Sequence, residues 1–305
     1  MKPTFSVIIP VYNKQAYIKT TLESCLSQSY ANFEVIIVND GSTDGSLEVI
    51  KQFQDERIKF FSTENRGISK ARNFGISNSI GELIAFLDAD DIWMPNHLEN
   101  LYSVYKNFPE AGLLCCNYVI KVKKLTIKPI FNGLPADENW QGIVEDYFAS
   151  SYHYRVAWIS AVAVPNEVLN LIGNFDENIK GAGEDLDLWV RIALHFPVAL
   201  TNSVSAVYRV NETSITKVKA GEKKYANLDK FKTYEQNSAS LKRFLDLYRT
   251  EFALHHKVDG NYKAFRQYVK AIDKKNLHWK TRFLLALPSG ILRMLLKLKN
   301  QTKAL

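Results

Sequence analysis

Between residues 5 and 87, short apolar runs alternate with stretches of helical character. FSVIIP is followed by a helical segment over about residues 14–28, FEVIIVND by one opening at Ser46, and RIKFFS by one over residues 69–78; LIAFL, residues 83–87, comes next. Apolar runs this short, bounded by polar turns, fit strands covered on both faces. Strands alternating with helices through short connections pair in parallel, with the helices on the two faces of a doubly wound sheet. In such a sheet, ligands bind beyond the carboxyl ends of the strands. Those ends are where chemistry is to be sought.

GELIAFLDADDIWMP places Asp88, Asp90 and Asp91 directly after the fourth run. A turn, and a cap for a helix starting near Pro95, would account for any one of them. Three together repel unless a cation or proton joins them, so the cluster predicts a hard divalent cation held by oxygen. VNDGSTDGS brings Asn39, Asp40 and Asp44 to the same edge, with Asp40 serving either a ligand or the turn before Gly41. ENRGISKARNFGI adds Asn65, Arg66 and Arg72. Arg72 falls within a helix, where a guanidinium is either a solvated surface charge or a contact for phosphate or ribose oxygens. No G-x-G-x-x-G follows the first strand, where IIPVYNK stands, and no Walker motif occurs. A diphosphate bound here must therefore be neutralised without a glycine loop. Farther on, GAGEDLDLWVRIALHF reads as a helix opened by Glu184 and Asp185, as the positive helix end prefers. Asp187 and Arg191 stand one turn apart and can pair, and Trp189 suits either the core or a wall for a sugar.

Composition excludes a disordered chain: of 305 residues, 46% are hydrophobic and 23% charged. Cys25, Cys115 and Cys116 form no C-x-x-C and no even framework, which suits buried thiols in a reducing compartment. The start reads as a strand rather than a signal peptide. The longest membrane-like stretch, FLLALPSGI, is broken by Pro288 and falls short of the roughly 20 residues a span requires. The net charge of +7 hides an asymmetry: residues 1–215 hold 18 Lys+Arg against 25 Asp+Glu, whereas residues 216–305 hold 21 against 7. A boundary is expected near residue 216, followed by basic helices over residues 222–250, 262–274 and 278–299. KKNLHWKTRFLLALPSGILRMLLKLK has the composition of a helix in an anionic membrane interface, or of helices packed on the first part with a solvated basic face. No nucleic-acid motif accompanies the charge, so no nucleic-acid partner is expected.

FSVIIPVYNKQAYI, VNDGSTDGS, NRGISKARNFGI, GELIAFLDADDIWMP and GEDLDLWVR occur in the order and approximate spacing of glycosyltransferase family 2, which the chain resembles over about residues 4–215. The resemblance implies an α/β GT-A (Rossmann-like) fold, a mostly parallel sheet flanked by helices. Residues 1–215 would be the catalytic domain, with the nucleotide-sugar site in its first half and the acceptor site in its second; residues 216–305 would be a basic helical extension. It implies inverting transfer, of hexosyl or N-acetylhexosaminyl type, from a nucleotide-diphosphate donor, a UDP-sugar foremost. The acceptor would be a saccharide or lipid-linked saccharide of bacterial polysaccharide or glycolipid assembly. Residue by residue, Pro10, Val11 and Tyr12 would line the base and ribose site, Asp40 would contact the uracil, and Arg72 a phosphate or ribose oxygen. Asp90 would ligate Mn²⁺ or Mg²⁺, with Asp88 facing the ribose or the metal. Asp185 would be the catalytic base, with Glu184 and Trp189 toward the acceptor. The family's Tyr-Arg-x-His stands here as YRVN, so no role passes to Asn211. Two other classes stay open. A nucleotidyltransferase on a related sheet is disfavoured by the missing basic triphosphate loop, and a non-catalytic membrane-associated scaffold by the intact Asp90 and Asp185. The implied location is the cytoplasm, peripherally on the inner face of the cytoplasmic membrane.

Overall fold

The structure, a computed structural model, describes residues 2–210 and 223–302. Strands β1 (Phe5–Val11), β2 (Phe33–Asp40), β3 (Ile58–Thr63) and β4 (Leu83–Phe86) are parallel and lie in the order β3-β2-β1-β4. Helices α1 (Ile18–Leu26), α2 (Ser46–Ile50) and α3 (Ile68–Ser77) make the connections. Every residue of β1, β2 and β4 is buried, as continuous apolar runs covered on both faces require. Two of their polar residues, Ser6 and Glu34, satisfy one another: Ser6 Oγ donates to Glu34 Oε1 at 2.5 Å, and Lys59 pairs with Glu34 at 2.7 Å.

The second half of the sheet is mixed. After β5 (Ile92–Trp93) and α4 (His97–Asn107) come β6 (Leu113–Val122), β7 (Leu125–Ile127), β8 (Gln141–Ile143) and α5 (Tyr147–Ser150). A 3₁₀ turn at Ile159–Ala161 then leads into β9 (Val162–Pro165), α6 (Asn166–Ile172), α7 (Glu184–Ala193) and β10 (Val198–Val210). The sheet continues β4-β9-β6-β10-β5, with β9 antiparallel to both neighbours and β10 parallel to β6. A four-residue strand carries no direction in its own sequence; the slot between β4 and β6 sets it. Phe86 packs edge-on against Phe175 at 5.3 Å and lies 6.2 Å from Trp189, forming the core under α7. Cys25, Cys115 and Cys116 are buried, which raises their thiol pKa values and leaves them as small core hydrophobes.

The chain divides into two compact units, residues 1–217 and 218–305. The second contains α8 (Lys232–Glu235), α9 (Ala239–Asp259), α10 (Tyr262–Ala271), α11 (Trp279–Ala286) and α12 (Ser289–Thr302). The helix expected over residues 222–250 begins afresh at Ser238, whose Oγ accepts from Leu241 N–H at 3.2 Å, and runs on to Gly260 at φ +82°. The single helix expected over residues 278–299 is two, parted at Leu287 and Pro288, because proline lacks the N–H and its ring crowds the preceding turn. Buried Arg249 holds this unit together, donating to Glu235 at 2.7 Å and Asp246 at 3.1 Å. Among the described residues, no helix is long and apolar enough to cross a membrane.

Candidate active site

The carboxyl ends of β1, β2 and β4 meet along one edge, and each delivers an acidic or polar turn. At the end of β2, Asp40 is 4% exposed; its Oδ1 accepts from Arg66 N–H at 2.8 Å and its Oδ2 from Gly67 N–H at 2.9 Å. This clasps the entry to α3, a negative charge at a helix N-terminus. Gly41 makes the approach feasible: its φ is +71°, and a Cβ there would sit 2.6 Å from Asn65 N. Asn39 bridges outward, donating to Ser62 Oγ at 2.9 Å, while Asp44 caps Gln15 N–H at 3.0 Å. At the end of β1, Pro10 and Val11 are buried, and Tyr12, just beyond, is exposed, so Tyr12 is the side chain of that stretch that faces solvent.

The aspartates after β4 each have partners within the protein. Asp88 Oδ1 pairs with Arg72 Nη2 at 2.8 Å, and Asp90 Oδ2 with Lys14 Nζ at 2.5 Å. Asp91 is 1% exposed and accepts from Ser160 Oγ at 2.6 Å, Trp158 Nε1 at 3.2 Å and Arg209 N–H at 3.0 Å. Burial, with repulsion from Asp88 and Asp90, pushes its carboxyl up to about 7. Lys14 and Arg72 thus each balance one of the three carboxylates within the protein. Among the described residues, no group of three or more His, Cys, Asp or Glu is arranged to hold a metal ion.

Arg72 joins this loop to the second half of the fold. It is 2% exposed, not a surface charge; Nη2 reaches Asp88, Nη1 reaches Glu184 Oε1 at 3.0 Å, and the guanidinium lies 5.2 Å over the Phe175 ring. Burial disfavours its charge, but Asp88 and Glu184 more than offset that and raise its pKa. Glu184 is raised too, by burial and by its neighbour Asp185, against the pull of Arg72. These acids open α7 behind Gly183, where the helix dipole favours them. Asp185 Oδ2 faces Arg155 Nη1 at 3.5 Å. Asp187 pairs with Arg191 at 3.0 Å along the helix, as their spacing predicts. Trp189 is 2% exposed among Phe86 and Phe175; it is core and offers no face to an acceptor.

The structure therefore brings Asp40, Arg72, Asp88, Asp90, Glu184 and Asp185 to one edge and sends Trp189 elsewhere; Asn211 lies outside the described residues. Sequence reasoning missed Lys14, Arg155, Trp158, Ser160 and Arg209. Lys14 and Arg209 stand inside quoted motifs, VYNK and YRV, and a search for cations flanking the aspartates would have raised both. Arg209 fixes the loop, with its Nε donating to the Asp90 carbonyl and its Nη2 to Thr21 Oγ1 at 3.2 Å. Arg155, Trp158 and Ser160 reach the site only because β9 slots beside β4. Trp158 packs against Tyr208, their rings 4.0 Å apart and tilted by 36°.

A family model described as glycosyl transferase family 2 matches residues 6–156. The chain is 27% identical over 283 residues to an uncharacterized glycosyltransferase of Rickettsia typhi, covering 90% of this chain and 86% of that one. It is 41% identical over 115 residues to the glycosyltransferase GlyA of Streptococcus pneumoniae, covering 37% of this chain but only 16% of GlyA. Among solved structures, S. aureus TarS 1-349 in complex with UDP-GlcNAc matches with a TM-score of 0.64 at 18% identity, covering 90% of this chain and 82% of that one. The last likeness speaks to the GT-A fold alone.

Proposed function

We propose that this chain, which carries a glycosyl transferase family 2 domain over residues 6–156, transfers a sugar with inversion from a nucleotide-diphosphate donor, a UDP-sugar foremost, to a saccharide or lipid-linked saccharide at the cytoplasmic side of the membrane. The carrying observation is the Arg72 bridge. One buried guanidinium pairs with Asp88 beyond β4 and with Glu184 at the head of α7, so the donor-side turn and the segment bearing Asp185 form one assembly.

In the proposed reaction, the acceptor hydroxyl attacks the anomeric carbon opposite the diphosphate. The new C–O bond forms as the bond to the diphosphate breaks, and the carbon inverts. Asp185 takes the hydroxyl proton, a service typically worth about 10²- to 10⁴-fold. Leu186 N–H, donating to Oδ1 at 2.7 Å, and Arg155 orient that carboxylate. Asp40 would meet the uracil imide N–H from a carboxylate already immobilised by two backbone donors. Tyr12, with the backbone of Pro10 and Val11, would line the base and ribose. Asp88 and Asp90 would hold Mn²⁺ or Mg²⁺: Arg72 engages only Oδ1 of the first and Lys14 only Oδ2 of the second, and Mg²⁺ is ordinarily held by one or two carboxylates together with substrate phosphates. Such an ion, when bound, neutralises charge on the departing diphosphate.

UDP release from a panel of UDP-sugars, followed with a saccharide acceptor, tests the reading. At least one donor is expected to turn over in the wild type, and Asp185→Asn is expected to lose about 10²- to 10⁴-fold in rate while binding UDP as before. Undiminished turnover in that variant would refute the base assignment.

A further inference from the structure

Helices α11 and α12 carry a surface that sugar transfer does not use. Their inner sides are already docked: Leu292 of α12 and Leu277, two residues before α11, are buried, Lys257 Nζ from α9 reaches the Leu285 carbonyl at 2.5 Å, and Arg293 Nε donates to the Val258 carbonyl at 2.8 Å. Their outer sides are apolar and open. Trp279 is 65% and Phe283 58% exposed, four residues apart and hence on one face of α11. Ile291 and Met294, 43% and 55% exposed, share a face of α12 one turn apart. Single exposed apolar residues are ordinary; grouped ones rimmed by charge mark a docking surface.

The rim is basic, with exposed Asp273 next to Lys274 the nearest acid in the sequence. Lys274, Lys275, Lys280 and Arg282 are exposed beside these residues, and residues 274–305 contain eight Lys+Arg and no Asp or Glu. Within an apolar protein interface that uncompensated charge would be a liability, and a phosphate backbone alone has no use for Ile291 and Met294. An anionic bilayer uses both: headgroups meet the ammonium and guanidinium groups, while Trp and Phe settle at the acyl boundary. We propose that α11 and α12 form a docking surface for an anionic lipid bilayer, with Trp279, Phe283, Ile291 and Met294 entering the interface and the lysines holding the headgroups. This stands independently of the sugar-transfer reading.

Sedimentation of the full chain with phosphatidylglycerol/phosphatidylcholine vesicles, and with phosphatidylcholine vesicles alone, tests it. The chain is expected to pellet with the anionic vesicles and to be released by salt. Trp279→Ser/Phe283→Ser and Lys275→Glu/Lys280→Glu are each expected to weaken binding about tenfold or more. Brominated lipids are expected to quench the wild type more than Trp279→Phe, placing that ring in the bilayer. Failure of the wild type to pellet with anionic vesicles, or binding by both double variants equal to wild type, would overturn the proposal. So would a self-associated chain that both variants dissociate without any vesicle binding.

Discussion

At the scale of single residues, the site turns on Arg72. A guanidinium 2% exposed pays a desolvation cost that only close carboxylates offset, and it has two, at 2.8 Å and 3.0 Å. Arg72→Met would strand Asp88 and Glu184 beside Asp185 and Asp90. Removing one partner of a buried pair typically costs about 3–5 kcal/mol, reduced here because Asp88 is partly exposed. Urea unfolding is expected to show a lower midpoint and the variant to lose turnover; Arg72→Met/Glu184→Gln is expected to recover part of the stability. A single variant as stable as wild type would contradict the bridging role. The acidic half of this network was legible in the sequence because Asp40, Asp88, Asp90 and Asp185 sit in turns that follow apolar runs. Its basic half was not: that Lys14 balances Asp90 and Arg155 faces Asp185 depends on segments distant in the chain.

At the scale of elements, β1, β2 and β4 were readable because each is a short run buried on both faces, and the half-buried β3 from its place in the alternation of strands and helices. The apolar run VAWISAVAVP holds β9 but carries no sign that the strand runs antiparallel, and the position of Ser160, whose hydroxyl joins Asp91 to Asp88 N–H, depends on that pairing. Helix α4 hides a further feature. His97, its first residue, is fully buried, with Nδ1 2.8 Å from Ser205 Oγ and its ring 4.4 Å from that of Trp93. Burial pushes its pKa down to about 3 from 6.5. The unfolded chain then takes up a proton below pH 6.5 that the native state refuses until about pH 3, so this stabilisation is intact above 6.5 and lost as pH falls. The slope is at most about 1.4 kcal/mol per pH unit. Unfolding free energies between pH 7 and 4, compared with those of His97→Asn, are expected to converge as pH falls, the wild type losing more. Parallel curves would mean that His97 protonates freely in the native state.

At the scale of the whole molecule, the chain pairs an acidic unit of mixed sheet with a basic helical one. Charge counting along the sequence separated the two characters, but not the break at Pro288 or the outward set of Trp279, Phe283 and Met294, since helical periodicity alone does not say which face a neighbour covers. The chain spans 86% of the Rickettsia typhi relative and 16% of GlyA, so what it shares with the latter is a segment of 115 residues rather than a whole architecture. The central claim is that the edge formed by Asp40, Asp88 and Asp90 binds a nucleoside diphosphate together with a divalent cation that Asp88 and Asp90 would hold. Calorimetric titration of UDP into the purified chain, with Mn²⁺ and then with excess chelator, tests it most directly. UDP is expected to bind with Mn²⁺ present and to bind far more weakly with chelator or in Asp90→Ala. No UDP binding in either condition would contradict the claim.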